Sequence, residues 1–165
     1  MIFASLFKPK PNPAQPLYEA IVAAARQPRA YRDASIPDTI DGRFDFLALH
    51  LSLVLERLGT AAPEFKQALI DHFCIDMDDN LRELGAGDLS VAKKVRRMAE
   101  ALAGRYSAYE KSIDQTAMEE AVRRNIYAGE AAPGAATIAA FALNARETLK
   151  GQTVAELSAG RVHFR

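Results

Sequence analysis

Residues 44–58 read FDFLALHLSLVLERL, and this stretch decides the fold class of the chain. Leu and Phe recur so often that apolar side chains would cover most of the circumference of a helix formed here. A helix that is apolar nearly all round is typical of the centre of a bundle, where other helices surround it. We expect Asp41 to cap the start of this helix and Gly59 to follow its end.

The composition of the whole chain favours an all-α fold. Its 165 residues include 31 Ala and 16 Leu but only 7 Val and 6 Thr. Because Ala and Leu favour helices while β-branched residues favour strands, a substantial sheet is not expected. With 49% hydrophobic and 25% charged residues, the chain is neither a disordered tail nor a set of membrane spans. The single cysteine, Cys74, rules out a disulfide framework within the chain.

Proline, glycine and capping signals divide the chain into an arm and one helical domain. We expect a Pro-rich N-terminal arm over residues 1–16 and a single-domain bundle of about six helices over residues 17–165. The predicted helices span about 16–27, 41–57, 63–84, 88–113, 116–129 and 134–150. Thr116–Glu119 and Thr153–Glu156 each have the sequence of a capping box.

The first seven residues, MIFASLF, are apolar but do not form a recognisable targeting segment. They lack a basic start and run into Lys8-Pro-Lys-Pro, so no secretory signal is predicted and we expect a cytoplasmic protein. Two interpretations of this segment stay open. It either packs onto the surface of the domain or touches a membrane surface or a partner.

The most informative surface signal is a run of charge within residues 76–98. The acids are Asp76, Asp78 and Asp79, and the bases are Lys93, Lys94, Arg96 and Arg97. Both groups are placed against the helix dipole, with acids late in one helix and bases early in the next. An antiparallel hairpin closed by residues 85–87 would bring Asp79 level with Lys94 and Asp76 level with Arg97. Cross-helix ion pairing and a functional surface for a phosphate, an acidic loop or an RNA backbone both remain open.

The histidines give a weak chemical signal. His50, His72 and His163 lie far apart, and none has a neighbour at metal-ligand spacing. We expect His50 to be a core histidine whose ring nitrogens bond to the backbone, and Cys74 to pack as a small apolar side chain. No residue is assigned a catalytic or metal-binding role, and no cofactor is expected. The alternative is a haem carrier or small-molecule enzyme in which His50 is buried at a pocket.

Four segments of the chain carry a resemblance to a known family. They are LYEAIV at 17–22, ARQP at 25–28, IPDTIDGRFD at 36–45 and the charged run at 76–98. In this order and spacing, over about residues 17–113, they resemble the ubiquinol–cytochrome c chaperone family. The resemblance implies an all-helical, non-catalytic assembly factor for ubiquinol–cytochrome c reductase (complex III) that binds newly made cytochrome b.

The resemblance also suggests where the chain acts and with whom. Mitochondrial relatives hold newly made cytochrome b near the ribosomal exit and the membrane, together with a small partner subunit. Since no targeting presequence is seen, the chain resembles the bacterial form, acting in the cytoplasm at the inner face of the plasma membrane. A ribosome, that membrane face and a small helical partner subunit are therefore further candidate partners.

We expect the client or partner to contact the charged residues of the hairpin, together with Asp38 and Arg43 at the entry to the central helix. The client could also supply part of the apolar coverage that the central helix needs. A competing interpretation is a ribosome- or RNA-associated accessory protein that uses the basic residues at 93–97.

Overall fold

The computed structural model describes residues 12–165, apart from the side chain of residue 89, and this part of the chain contains helices and no strands. The eight helices within residues 12–165 are α1 (Gln15–Ala25), α2 (Pro28–Asp33), α3 (Ile40–Leu58), α4 (Pro63–Glu83), α5 (Asp88–Lys111), α6 (Gln115–Ile126), α7 (Gly134–Lys150) and α8 (Val154–Ser158). The predicted all-α bundle is confirmed, and the short helices α2 and α8 add to the six that were predicted. The apolar segment 1–7 lies outside the described residues.

Helix α3 lies at the centre of the bundle, as its sequence predicts. It packs against α1, α5 and α7 and also touches α4 and α6. All six of its leucines are buried. The expectation that a client completes the coverage of this helix is therefore wrong for residues 46–58, whose apolar side chains are already buried by the chain's own helices. Ile40 and Phe44, at the start of α3, keep exposed surface. Among residues 12–165, no helix combines the length and the apolar character that crossing a bilayer requires.

Of the predicted N-terminal caps, those at Asp41 and Thr116 are wrong and the one at Thr153 is confirmed, and Gly59 follows the end of α3 as predicted. The side chain of Thr39, not Asp41, caps α3 by accepting a backbone hydrogen bond at 3.1 Å. Asp114, not Thr116, caps α6 in the same way at 2.8 Å. A cap residue must have extended backbone while the next residues are helical, and both displaced candidates already lie inside their helices. The capping box at Thr153–Glu156 is present.

Pro28 explains the helix that the sequence analysis missed. The prediction treated this proline only as the end of α1, but it also occupies the first turn of α2, where its missing N–H costs nothing. The end of α2 then packs against α7. The Tyr127 hydroxyl donates to the carbonyl oxygen of Ala34 at 2.7 Å, and Gly134 lies so close that an added Cβ would be 1.8 Å from that oxygen.

Arg146 of α7 ties three helices together beneath the surface. Its Nε lies 3.0 Å from a carboxylate oxygen of Glu56 on α3. Its two terminal nitrogens donate to the carbonyl oxygens of Ser112 and Tyr109, at the end of α5, at 2.7 Å each. A buried guanidinium needs this kind of complete satisfaction, so the position of α7 against α3 and α5 is fixed.

Candidate functional site

The basic residues predicted as a surface feature do lie on the surface. Lys93, Lys94, Arg96 and Arg97 are all exposed on α5, on either side of the half-buried Val95. We call these four residues the α5 basic surface. Arg96 makes a loose ion pair with Glu100 one turn along the same helix, at 3.5 Å. The α5 basic surface therefore presents a concentrated positive charge that an anionic group can approach.

The acids of the neighbouring helix α4 do not neutralise that charge. Asp76 accepts a hydrogen bond of 2.6 Å from the hydroxyl of Tyr18 on α1, and Asp78 pairs at 2.5 Å with Arg82. Among the described residues, no ion pair joins the three acids to the α5 basic surface. The predicted pairing of Asp79 with Lys94 and of Asp76 with Arg97 is therefore wrong.

Closer partners explain this outcome. Arg82 lies one turn after Asp78 on the same helix and also pairs with Asp88 at the start of α5. Tyr18 draws Asp76 toward α1, and burial together with this hydrogen bond raises the pKa of the Tyr18 hydroxyl. Of the three acids, Asp76 and Asp78 are half-buried and Asp79 is exposed.

Asp38 and Arg43 lie together at the start of α3. Their side chains form an ion pair of 2.6 Å, with 61% and 62% of the respective side chains exposed. The guanidinium of Arg43 holds the pKa of the Asp38 carboxyl below its usual range. Ile40, between them in sequence, is 71% exposed. The pair is therefore a surface feature that a partner can reach.

A second ion pair, which the sequence analysis did not identify, anchors α5 to the central helix. Arg105 of α5 approaches Asp45 of α3 to 2.5 Å, and its guanidinium lies 5.2 Å from the centre of the Phe44 ring. Burial raises the pKa of Asp45, and the nearby Arg105 opposes that effect. Asp45 interrupts an otherwise apolar run, which is the signal that could have pointed to a buried partner.

The structure also contains an aromatic cleft of about 520 Å³. It lies between α2, α3, α7 and the C-terminal segment 162–165, and its floor contains Phe46, His50, Phe141 and Phe164. The His50 ring lies 4.6 Å from the Phe46 ring, 4.8 Å from the Phe164 ring and 5.3 Å from the Phe141 ring, measured between centroids. Exposed polar side chains form the rim: Gln27, Arg29, Asp33, Thr137, His163 and Arg165.

His50 is the polar group in this floor. It is 2% exposed, and its Nδ1 lies 2.9 Å from the carbonyl oxygen of Phe46 one turn earlier. Burial lowers the pKa of His50 to about 4, so the ring is neutral at neutral pH. A neutral ring that donates Nδ1–H to Phe46 leaves Nε2 as an acceptor. The backbone bond predicted for His50 is confirmed at Nδ1, whereas Nε2 has no hydrogen-bond partner in the part of the chain that the structure describes.

Comparisons with known proteins place these features in a family context. A family described as Ubiquinol-cytochrome C chaperone matches residues 32–164. A crystal structure described as the Cbp3 homolog from Brucella abortus is similar with a TM-score of 0.80 and 37% sequence identity, over 91% of this chain and 87% of that chain. No curated protein has significant similarity to the chain. The matched range includes the α5 basic surface and all four residues of the cleft floor.

Proposed function

This chain belongs to the ubiquinol-cytochrome c chaperone family, and we propose that it is a non-catalytic chaperone that binds newly made cytochrome b during assembly of ubiquinol–cytochrome c reductase. The observation that carries the proposal is the family match over residues 32–164, which agrees with a solved structure in both sequence and fold. A chaperone needs surfaces that recognise another polypeptide, and the described residues offer two kinds of surface.

The α5 basic surface is the first of these, and we propose that it contacts acidic loops of the client. Four exposed cations lie within five residues, and within the described part of the chain Arg96 is the one of the four that forms an ion pair. Complementary charge accelerates encounter and suppresses wrong partners more than it adds affinity. We include Asp78, Asp79 and the Asp38–Arg43 pair in the proposed contact surface, while Asp76 contributes through its bond to Tyr18.

We further propose that the chain works at the inner face of the plasma membrane as a peripheral protein. Anionic lipids there attract basic surface residues by about 1 kcal/mol for each Lys or Arg near the membrane. At this membrane face the chain would meet cytochrome b as the newly made cytochrome b leaves the ribosome. A small helical partner subunit could bind cytochrome b together with this chain.

The proposal is tested by capture of pulse-labelled cytochrome b on the tagged full chain. The first variant carries glutamate at positions 93, 94, 96 and 97. A matched control carries the same number of charge reversals at four exposed bases elsewhere: Arg26, Lys111, Arg124 and Arg161. The first variant loses one exposed ion pair at 3.5 Å, so its stability should change by less than about 1 kcal/mol.

We expect wild type and the control to capture cytochrome b, and the first variant to capture about tenfold less. If wild type captures no cytochrome b, the proposed client is wrong. Equal capture by all three proteins would instead show that cytochrome b does not contact the α5 basic surface.

A ribosome- or RNA-associated role is a second candidate, which the exposure of all four cations favours. If four cations contact RNA phosphates, affinity should fall by about 50-fold between 50 and 200 mM salt. Capture through apolar contacts is much less sensitive to salt in this range. A steep loss of binding with salt, together with RNA in the captured material, would favour this second role over the first.

A further inference from the structure

We propose that the aromatic cleft binds one tryptophan side chain of the client polypeptide, with the indole N–H donating a hydrogen bond to Nε2 of His50. The inference rests on the proposed chaperone function, which supplies the polypeptide. The aromatic cleft is then a second recognition surface of the chain, beside the α5 basic surface, and its ligand is an indole.

The size and the walls of the cleft suit one large aromatic side chain with its neighbouring backbone. Its volume of about 520 Å³ lies within the usual range of ligand sites. The rings of Phe141 and Phe164, whose centroids are 6.5 Å apart, offer the tilted and edge-to-face contacts that aromatic groups prefer. Exposed side chains of α2, α7 and the C-terminal segment surround the opening, so a polypeptide can reach it.

The unpartnered Nε2 of His50 specifies a donor on the ligand. The ring is 2% exposed and lines the cleft, and Phe46 already uses Nδ1. The side-chain atoms that are fully buried without a partner in the described residues are His72 Nδ1 and the Tyr109 hydroxyl, so Nε2 of His50 is not sealed off but open to the cleft that its ring lines. A ligand that donates to Nε2 keeps a hydrogen bond there, whereas a purely apolar ligand displaces water from Nε2 and leaves it unbonded. The low pKa of His50 keeps Nε2 unprotonated at neutral pH, in the state that accepts.

Among donors, the surroundings favour a neutral aromatic one. A lysine or arginine would bring a charge against an apolar floor, and the rim carries two arginines, Arg29 and Arg165, against one carboxylate, Asp33. Tryptophan combines a large apolar body with a single N–H that can only donate. This chain contains no tryptophan, so neither its own segments nor a second copy can supply the indole. An indole in the cleft would therefore come from a different polypeptide.

The absence of tryptophan also makes the test direct, because all indole fluorescence comes from the added peptide. The probes are the peptide acetyl-Ala-Glu-Trp-Ala-amide and its analogue with 3-benzothienylalanine, which has the same shape but no N–H donor. Fluorescence of the first, and competition by the second, give the two affinities for the full chain.

We expect saturable binding of the tryptophan peptide with a blue shift of its emission, and about tenfold weaker binding of the analogue. The variant His50→Phe keeps an aromatic ring in the floor but removes the acceptor, so it should bind both peptides equally. His163→Phe is the matched control, since it makes the same change at the exposed rim, and it should keep the preference. If His50→Phe does not fold, the ¹⁵N shift of His50 Nε2 in wild type, with and without the peptide, measures the same bond.

Equal affinity of wild type for the two peptides, or a preference that survives His50→Phe, would overturn the inference. A saturable shift in the absorbance of haem that His50→Phe abolishes would also overturn it, because an iron ligand would then replace the indole. These outcomes are separate from the proposed function, since cytochrome b capture by wild type is measured independently of the peptides.

Discussion

The contact between α2 and α7 at Gly134 should be among the least tolerant places in the chain. A Cβ at this position would lie 1.8 Å from the carbonyl oxygen of Ala34 and 2.6 Å from the hydroxyl of Tyr127, so Gly134→Ala must push α2 away from α7. Overpacking of this kind costs about 1–3 kcal/mol. Losing the buried Tyr127–Ala34 hydrogen bond, which measures 2.7 Å, adds about 1 kcal/mol.

We therefore expect Gly134→Ala to lower the free energy of unfolding by about 2–4 kcal/mol, a large share of the 5–15 kcal/mol that a typical protein has. Because Ala34 also lines the aromatic cleft, the same variant should weaken binding of the tryptophan peptide. Gly104→Ala is the matched control. Its Cβ would meet nothing within 4 Å in the middle of α5, so it should stabilise the chain by about 0.5–1 kcal/mol.

Urea unfolding followed by circular dichroism measures both variants. Tyr127→Phe in the two backgrounds shows how much of the loss depends on the Tyr127 hydroxyl, which makes the hydrogen bond and also meets the added Cβ. If Gly134→Ala unfolds at the same urea concentration as wild type, then α2 does not hold the close contact described, and the geometry of the cleft is wrong.

Three further perturbations test other parts of the structure. The pKa of His50 is about 4 in the folded chain and about 6.5 in the unfolded chain, so the unfolded state binds the proton first as the pH falls. Wild type should therefore keep its full stability above pH 6.5 and lose about 3 kcal/mol of unfolding free energy as the pH falls to 4. Urea unfolding at a series of pH values measures this loss, which His50→Phe should lack. Arg146→Ala leaves Glu56 half-buried without its partner and should lower the free energy of unfolding by about 3 kcal/mol. A loss below about 1 kcal/mol would show that the bonds of Arg146 to α3 and α5 contribute little to stability. Thr153→Ala removes one half of the capping box and should cost about 1 kcal/mol in the same assay, whereas an unchanged midpoint would mean that α8 is held by packing alone.

The sequence predicted those features that depend on local pattern. The apolar circumference of residues 44–58 indicated a central helix, and α3 is central and buried. The exposure of the bases at 93–97 followed from their spacing around Val95. Side-chain type alone does not determine a cap position, because Thr39 and Asp41 both have capping side chains and only the backbone conformation decides between them.

Features that depend on distant parts of the chain could not be predicted. Asp76 bonds to Tyr18, which lies 58 residues earlier, so a local hairpin argument assigned it to the wrong partner. The aromatic cleft combines α2, α3, α7 and the C-terminal segment, whose residues have no shared spacing in the sequence. Of the residues that line the cleft, only His50 could be identified from the sequence, because a histidine inside an apolar run needs a hydrogen-bond partner.

We propose that this chain assists assembly of ubiquinol–cytochrome c reductase through cytochrome b. The most direct measurement is the amount of assembled reductase and the lifetime of newly made cytochrome b in cells from which the gene has been deleted, with wild type restored as the control. We expect deletion to shorten the lifetime of cytochrome b and to remove most of the assembled complex, and the restored gene to recover both. Normal levels of the complex in the deletion strain would contradict the proposal.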